Sequence, residues 1–491
     1  MGAAIMLQGT GSDVGKTVLV AGLCRLARRR GLRVRPFKPQ NMSNNAAVAH
    51  GSDGTPGEIG RAQWLQALAC GCAASIDMNP VLLKPQSETG SQVVVHGKVR
   101  GTAKGREYQR LKPELLSAVL ESFSRLRADA DLVIVEGAGS PAEVNLRAGD
   151  IANMGFSRAA GVPVVLVGDI DRGGVIASLV GTHTVLDPED RAMIAGFVIN
   201  KFRGDVSLFD DGLRIVRDHT GWASLGVVPW LRATATLPAE DSVALAKLSS
   251  EMGGAIRIAV PVLPRIANFD DLDPLRGEPD VRVLFVGPEE RFPTDVDAVL
   301  VPGSKSTIAD LRVLKERGWD RAIERIAAEG GHVLGICGGY QMLGRAVRDP
   351  HGVEGGGEET GLGLLDIETV LAPGKTVREV RARSPDGAPI EAYEIHMGRT
   401  EGPDRARPFA LVEGAPEGAV SRGDRVRGTY LHGALSSGAF RSEWLASLGA
   451  SGDGIQHGER IEAALDEIAG ELDRVVDFDG LLRIARGAGR A

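Results

Sequence analysis

Short, continuous apolar runs, each closed by a glycine-rich or charged turn, recur along the chain. The first half carries Ala3-Ala4-Ile5-Met6-Leu7, Leu132-Val133-Ile134-Val135, Val164-Val165-Leu166-Val167 and Ile194 to Ile199. The second carries Ile256-Arg257-Ile258-Ala259-Val260, Val281 to Val286, Ala298-Val299-Leu300-Val301 and His332-Val333-Leu334. Runs of this kind predict strands buried on both faces, as in parallel sheets covered by helices. Helical spacing at Val20, Leu23 and Leu26 supplies part of that cover. The expected fold class is α/β, with two doubly wound, mainly parallel-sheet domains. Small and polar residues from Ala244 to Gly254 break the pattern. This predicts a first domain over 1–245, a linker over 246–255 and a second domain over 256–446. The segment 447–491 shows an amphipathic helical pattern through Leu472, Val475, Val476 and Leu481, and is assigned packing alone.

In open parallel sheets ligands bind at the carboxyl edge, so the strand ends carry the candidate chemistry. The first strand runs into Gly9-Thr10-Gly11-Ser12-Asp13-Val14-Gly15-Lys16-Thr17 and then a helix. That order is a phosphate cradle of the P-loop NTPase kind: loop N–H groups wrap phosphates, Lys16 reaches the terminal ones and Thr17 holds Mg²⁺. It is a variant, because Thr10 stands where the strict spacing places glycine. Lys38, after Val34 to Phe37, is a candidate phosphate or carboxylate partner. Glu58, in a segment expected to open a helix, and Glu136, ending a core strand, are candidate metal carboxylates. Asp169, Asp171 and Arg172 follow the next strand and suit metal and acidic substrate; Asn200 can present its amide to a purine edge.

In the second half, Gly335-Ile336-Cys337-Gly338-Gly339 follows a strand and precedes the helical Tyr340-Gln341-Met342-Leu343. This is the thiol form of a nucleophile elbow, with Cys337 as the candidate nucleophile and the Gly338 N–H as an oxyanion donor. Gly303, in the strand-end loop Pro302 to Ser306, is the second candidate donor. His432, at the end of a β-like run, is a candidate partner that only folding can bring to Cys337.

Composition narrows the class. The chain has 491 residues, 25% of them charged, and a net charge of -7, which argues against general affinity for nucleic acid or anionic membrane. Four cysteines form neither a disulfide framework nor a zinc set. With no apolar run long enough to span a bilayer and no export leader read at the start, a cytoplasmic location is expected.

Taken together the motifs resemble the cobyric acid synthase family. The likeness rests on the loop at 9–17, Lys38-Pro39-Gln40-Asn41-Met42-Ser43, Glu58 to Gln63, Asp169-Ile170-Asp171-Arg172-Gly173-Gly174, the Cys337 elbow and Tyr393-Glu394-Ile395-His396-Met397-Gly398. The first half looks like a dethiobiotin synthetase type of P-loop domain, the second like a class I glutamine amidotransferase. The resemblance implies glutamine, ATP with Mg²⁺, and a corrinoid carboxylic acid as small-molecule partners. It implies that Cys337, with His432 as its base, releases ammonia from glutamine. ATP would then activate, one after another, four peripheral carboxylates of adenosylcobyrinic acid a,c-diamide for amidation. One departure stands out: where the common triad has glutamate two residues after the histidine, this chain has Ala434. A Cys337–His432 dyad is therefore the expected minimum, with a carbonyl, another carboxylate or water left to orient the ring. His396 receives no role, and no oligomeric state is expected over another. Three alternatives stay open: the sibling cobyrinic acid a,c-diamide synthase, a P-loop ATPase switch and a stand-alone glutaminase. Such switches usually carry a lysine where this loop has Gly11.

Overall fold

The computed structural model describes residues 1–86, 90–239 and 254–487, so the expected linker lies outside the described residues except for Gly254 and Ala255. In the first half the elements that build and flank the sites are β1 (Ala3–Gly9), α1 (Lys16–Arg29), β2 (Val34–Phe37), β3 (Pro56–Gly60), α2 (Arg61–Cys70), β4 (Val81–Pro85), β5 (Leu132–Glu136), β6 (Val164–Asp169), β7 (Ile194–Phe202) and β8 (Ala223–Pro229). Six of these strands form a wholly parallel sheet in the order β8-β7-β6-β1-β5-β2. The centre is dry: Leu132, Val133, Ile134 and Val135 are fully buried, as unalternated strands between helical layers must be. Register sets Leu7 opposite Glu136 and Gly9 opposite Val167, which places the end of β1 and the carboxylate ending β5 at the same sheet edge.

The second half contributes β9 (Ile256–Pro261), β10 (Val281–Val286), β11 (Ala298–Val301), β12 (His332–Ile336), α3 (Gly338–Met342), β13 (Glu368–Arg383), β14 (Pro389–Glu401) and β15 (Val426–Thr429). Its central sheet runs β10-β9-β11-β12-β15, all parallel, with Ala419–Val420 added antiparallel at the edge. The expected α/β class with two mainly parallel sheets is what the chain forms.

Two features knit the halves together. The β13–β14 ribbon, paired as Val377 with Ile395, reaches back so that Tyr393 and Ile395 share an apolar cluster with Ala46, Val48, Leu82 and Val94. The C-terminal helices α4 (His457–Val475) and α5 (Phe478–Ala485) return to the first half. On α4 the stripe Ile461, Leu465, Ile468 and Leu472 joins the core built by Val20, Leu23 and Leu26 of α1. Gly22 permits the approach, since a Cβ there would lie 2.5 Å from Leu472 Cδ1. Among the described residues no helix is long and apolar enough to cross a membrane.

The structure differs from the sequence reading at Glu58. The helix expected there begins only at Arg61, and Glu58 sits in β3, opposite Val48 of the short strand Ala46–His50.

Candidate active sites

Cys337 is the residue between β12 and α3, and its backbone has φ 53° and ψ −109°. A non-glycine residue at positive φ is strained, and here the strain presents the thiol at the sheet edge. The flanking glycines are required by contact. A Cβ on Gly339 would fall 2.0 Å from the Val301 carbonyl oxygen, and one on Gly335 would fall 2.8 Å from that of Gly339. The Sγ lies 3.7 Å from the Ile395 carbonyl on β14, so the ribbon roofs the thiol.

His432 arrives at the same point from the end of β15, held by reciprocal backbone hydrogen bonds with Tyr393 of 3.0 and 2.9 Å. Its ring stacks on Tyr393 at 5.2 Å. Its Nδ1 lies 2.7 Å from Asp271 Oδ2, and the other oxygen of Asp271 accepts the Gly433 N–H at 2.6 Å. Burial opposes the imidazolium, but the Asp271 carboxylate and the Cys337 sulfur outweigh it and lift the His432 pKa to about 10. The histidine is thus held as a cation beside the thiol. Gly303 borders this ring: a Cβ on it would lie 3.3 Å from His432 Cε1. Gly338 opens α3, so its N–H has no partner within that helix. Asp271 answers what orients the imidazole in the absence of a carboxylate at Ala434. It was not singled out from sequence; the available signal was the acidic run Asp270-Asp271-Leu272-Asp273, which is buried throughout.

The cavity at Cys337 and His432 is also lined by Gly303, Lys305, Gln341 and Glu354, and by Lys84 and Lys375 from either side of the seam between the halves. Lys84 and Lys375 share Glu58: Lys84 Nζ lies 2.9 Å from Oε2 and Lys375 Nζ 2.5 Å from Oε1. Burial alone would raise the Glu58 pKa, but the two ammonium groups hold the carboxyl well below its usual range. Both oxygens are therefore engaged by lysine, and the metal-ligand role expected of Glu58 is corrected to that of an ion-paired seam residue. His396, which lines the same cavity, stacks on Tyr430 at 3.8 Å, and burial lowers its pKa to about 4.

At the first sheet's edge, Gly15 adopts φ 89° immediately before α1. A Cβ there would lie 2.4 Å from Asn200 Nδ2. Gly9 is equally constrained, 2.7 Å from Lys16 Nζ by the same construction. Thr10 N–H donates to the Val167 carbonyl at 3.0 Å, and Lys16 donates to the carbonyls of Gly11 and Gly139 at 3.1 and 3.3 Å. Glu136, fully buried, gathers three donors: Thr17 Oγ1 at 2.8 Å, Lys38 Nζ at 2.7 Å and Gln66 Nε2 at 2.5 Å. A hydroxyl and a carboxylate side by side are hard oxygen donors suited to Mg²⁺ shared with phosphates. Among the described residues no cluster of three or more His, Cys, Asp or Glu forms a protein-only metal cage. The donor set thus fits Mg²⁺ held jointly with a nucleotide.

The remaining expected residues meet around the loop. Asn200 Nδ2 donates to the Val14 carbonyl at 2.8 Å, so its amide nitrogen braces the loop instead of facing a purine. Asp169 pairs with Lys201 at 2.8 Å, Asp171 with Arg203 at 2.8 Å and Arg172 with Asp13 at 3.3 Å. Asp169 is buried, whereas Arg172, Asp13, Arg203 and Asp171 are exposed, so a chain of ion pairs runs along this edge from the sheet to the surface. One further link escaped the sequence reading. Helix α2 sends Gln66 to Glu136 and, from its first residue, Arg61 to Asp270 at 3.0 Å, beside Asp271.

Comparison with known proteins agrees with this two-part anatomy. Residues 5–244 match the CobQ/CobB/MinD/ParA nucleotide binding domain, and residues 257–440 the CobB/CobQ-like glutamine amidotransferase domain. Cobyric acid synthase of Rhizobium johnstonii is 67% identical over 479 residues, 97% of either chain. That of Brucella suis is 63% identical over 487 residues, 99% of this chain and all of the relative. That of Mesorhizobium japonicum is 62% identical over 495 residues, again 99% of this chain. The chain belongs to the cobyric acid synthase family of glutamine amidotransferase-type ligases.

Proposed function

We propose that the chain amidates four peripheral carboxylates of adenosylcobyrinic acid a,c-diamide, using ATP and ammonia released from glutamine, to give adenosylcobyric acid. The observation that carries this reading is helix α2, which touches both centres through Arg61–Asp270 and Gln66–Glu136. A linked pair of sites is what a nitrogen-releasing and a nitrogen-consuming reaction require.

At the thiol site, Cys337 as thiolate attacks the side-chain amide carbon of glutamine, and the N–H groups of Gly338 and Gly303 receive the developing oxyanion. The His432 imidazolium gives its proton to the departing nitrogen as the C–N bond breaks, releasing ammonia. The resulting neutral imidazole takes a proton from water, which cleaves the thioester to glutamate. Asp271 keeps the ring oriented through both steps.

At the nucleotide site, the loop from Gly9 to Gly15 and Lys16 cradle the ATP phosphates, and Lys38 neutralises the transferred group. Thr17 and Glu136 would hold Mg²⁺, which supplies charge neutralisation to the phosphates when bound. A corrin carboxylate oxygen attacks the γ-phosphorus as ADP leaves. Ammonia then attacks the acyl carbon and inorganic phosphate leaves with the C–O electron pair, forming the amide. Asp169, Asp171 and Arg172 border this edge and contribute to substrate binding.

The test is to incubate the protein with ATP, Mg²⁺, glutamine and the corrinoid a,c-diamide and follow products by mass spectrometry. Stepwise amidation ending with all four carboxylates converted is expected. ATP hydrolysis with no corrinoid change, or amidation of only the a and c positions of the unamidated acid, would contradict the proposal.

A further inference from the structure

Lys305 lies in the cavity of Cys337 and His432, and is 7% exposed. Its backbone is pinned, with the N–H donating to the Arg265 carbonyl at 2.8 Å. Among the described residues its ammonium group makes no hydrogen bond or ion pair. A buried ammonium with no hydrogen-bonded anion is unfavourable, so this side chain is suited to meet a negative group brought by a ligand. Its lysine neighbours differ, because Lys84 and Lys375 already divide the two oxygens of Glu58.

Glu354 lines the same cavity. Its backbone N–H donates to Asp349 Oδ2 at 2.8 Å, and its Oε2 accepts the Thr307 N–H at 2.7 Å. Among the described residues Oε1 has no hydrogen-bond partner. Burial raises the Glu354 pKa and lowers that of Lys305, and each residue's charge opposes the other's shift. Between them the cavity wall is already satisfied. Thr307 Oγ1 donates to Gln341 Oε1 at 3.0 Å, and Gln341 Nε2 donates to the Met397 carbonyl at 3.0 Å and to Tyr430 at 3.1 Å. The cavity thus offers a cation and a carboxylate oxygen to one ligand whose reacting end must reach Sγ.

We infer that Lys305 and Glu354 read the zwitterionic end of glutamine, Lys305 taking the α-carboxylate and Glu354 the α-ammonium group. The inference rests on Cys337 being the glutaminase nucleophile. It makes these two residues the reason that a free α-amino acid is selected over other primary amides.

The test compares glutamine with two truncated amides, glutaramic acid, which lacks the α-ammonium group, and 4-aminobutanamide, which lacks the α-carboxylate. Each is assayed as substrate and as competitive inhibitor on wild type, Lys305→Met, Lys305→Arg and Glu354→Gln. Losing one charge-assisted contact is expected to weaken Lys305→Met for glutamine and glutaramic acid by about ten- to a hundredfold, mainly in KM. The same variant should treat 4-aminobutanamide as wild type does. Glu354→Gln should show the mirror pattern, and Lys305→Arg should recover part of the loss. Ammonium-dependent synthesis by the same variants reports an intact fold. Equal losses for all three amides, or no change for glutamine, would overturn the inference. Failure of the underlying reading is separate, because there Cys337→Ala would still hydrolyse glutamine.

Discussion

His432 Nδ1 and Asp271 Oδ2 lie 2.7 Å apart, although 161 positions separate the two residues in the chain. Their contact orients the buried imidazole and stabilises its charge. A raised basic pKa stabilises the protonated fold. That contribution is complete below the ordinary imidazole value of roughly 6.5. It is lost as pH rises through about 10. Asp271→Asn removes the negative partner, so the alkaline limb of glutamine hydrolysis should move to lower pH. The maximal rate should fall by about a hundredfold or more. A pH–rate profile checks both, and an unmoved limb would exclude Asp271 as the orienting group.

The Thr17–Glu136 pair predicts a different separation. Glu136 binds Thr17, Lys38 and Gln66 at once, whereas the Cys337 centre has its own carboxylate. Glu136→Gln should lower ammonium-dependent synthesis by about a hundredfold or more while leaving glutamine hydrolysis measurable. Chelating Mg²⁺ should stop synthesis from either nitrogen source. The thermal midpoint without nucleotide should not move, because Thr17 and Glu136 bond each other directly.

The elbow makes a steric prediction. A methyl group on Gly339 would sit 2.0 Å from the Val301 carbonyl oxygen, which is backbone and cannot swing aside. Gly339→Ala should cost about 1–3 kcal/mol by denaturant titration and remove glutamine hydrolysis before it removes ammonium-dependent synthesis.

Both sheets, the phosphate loop and the elbow were legible because strand, turn and helix follow one another in consecutive residues. Cys337, Lys16, Thr17 and Glu136 stand at the sheet edges where strand endings implied. The partners were not legible, because packing between distant segments selects them. Asp271 lies in an acidic run that reads as surface, yet Asp270 is neutralised by Arg61 from the other half and Asp271 by His432. Glu58 stands in a stretch of glycine, isoleucine and charge that fits a helix start as well as a strand. Its hairpin partner Val48 and its lysines, one 317 positions away, decide the matter. Asn200 reaches the right edge, but its amide is used by the Val14 carbonyl, a backbone demand with no sequence signature.

The two-centre scheme stands most directly on Cys337→Ala, supplied with ATP, Mg²⁺ and the corrinoid acid and given either glutamine or ammonium as the nitrogen source. Amide formation should proceed from ammonium as in the wild type and fail from glutamine. Glutamine-dependent synthesis at the wild-type rate would contradict the scheme, because ammonia would then be released from glutamine without formation of the Cys337 thioester.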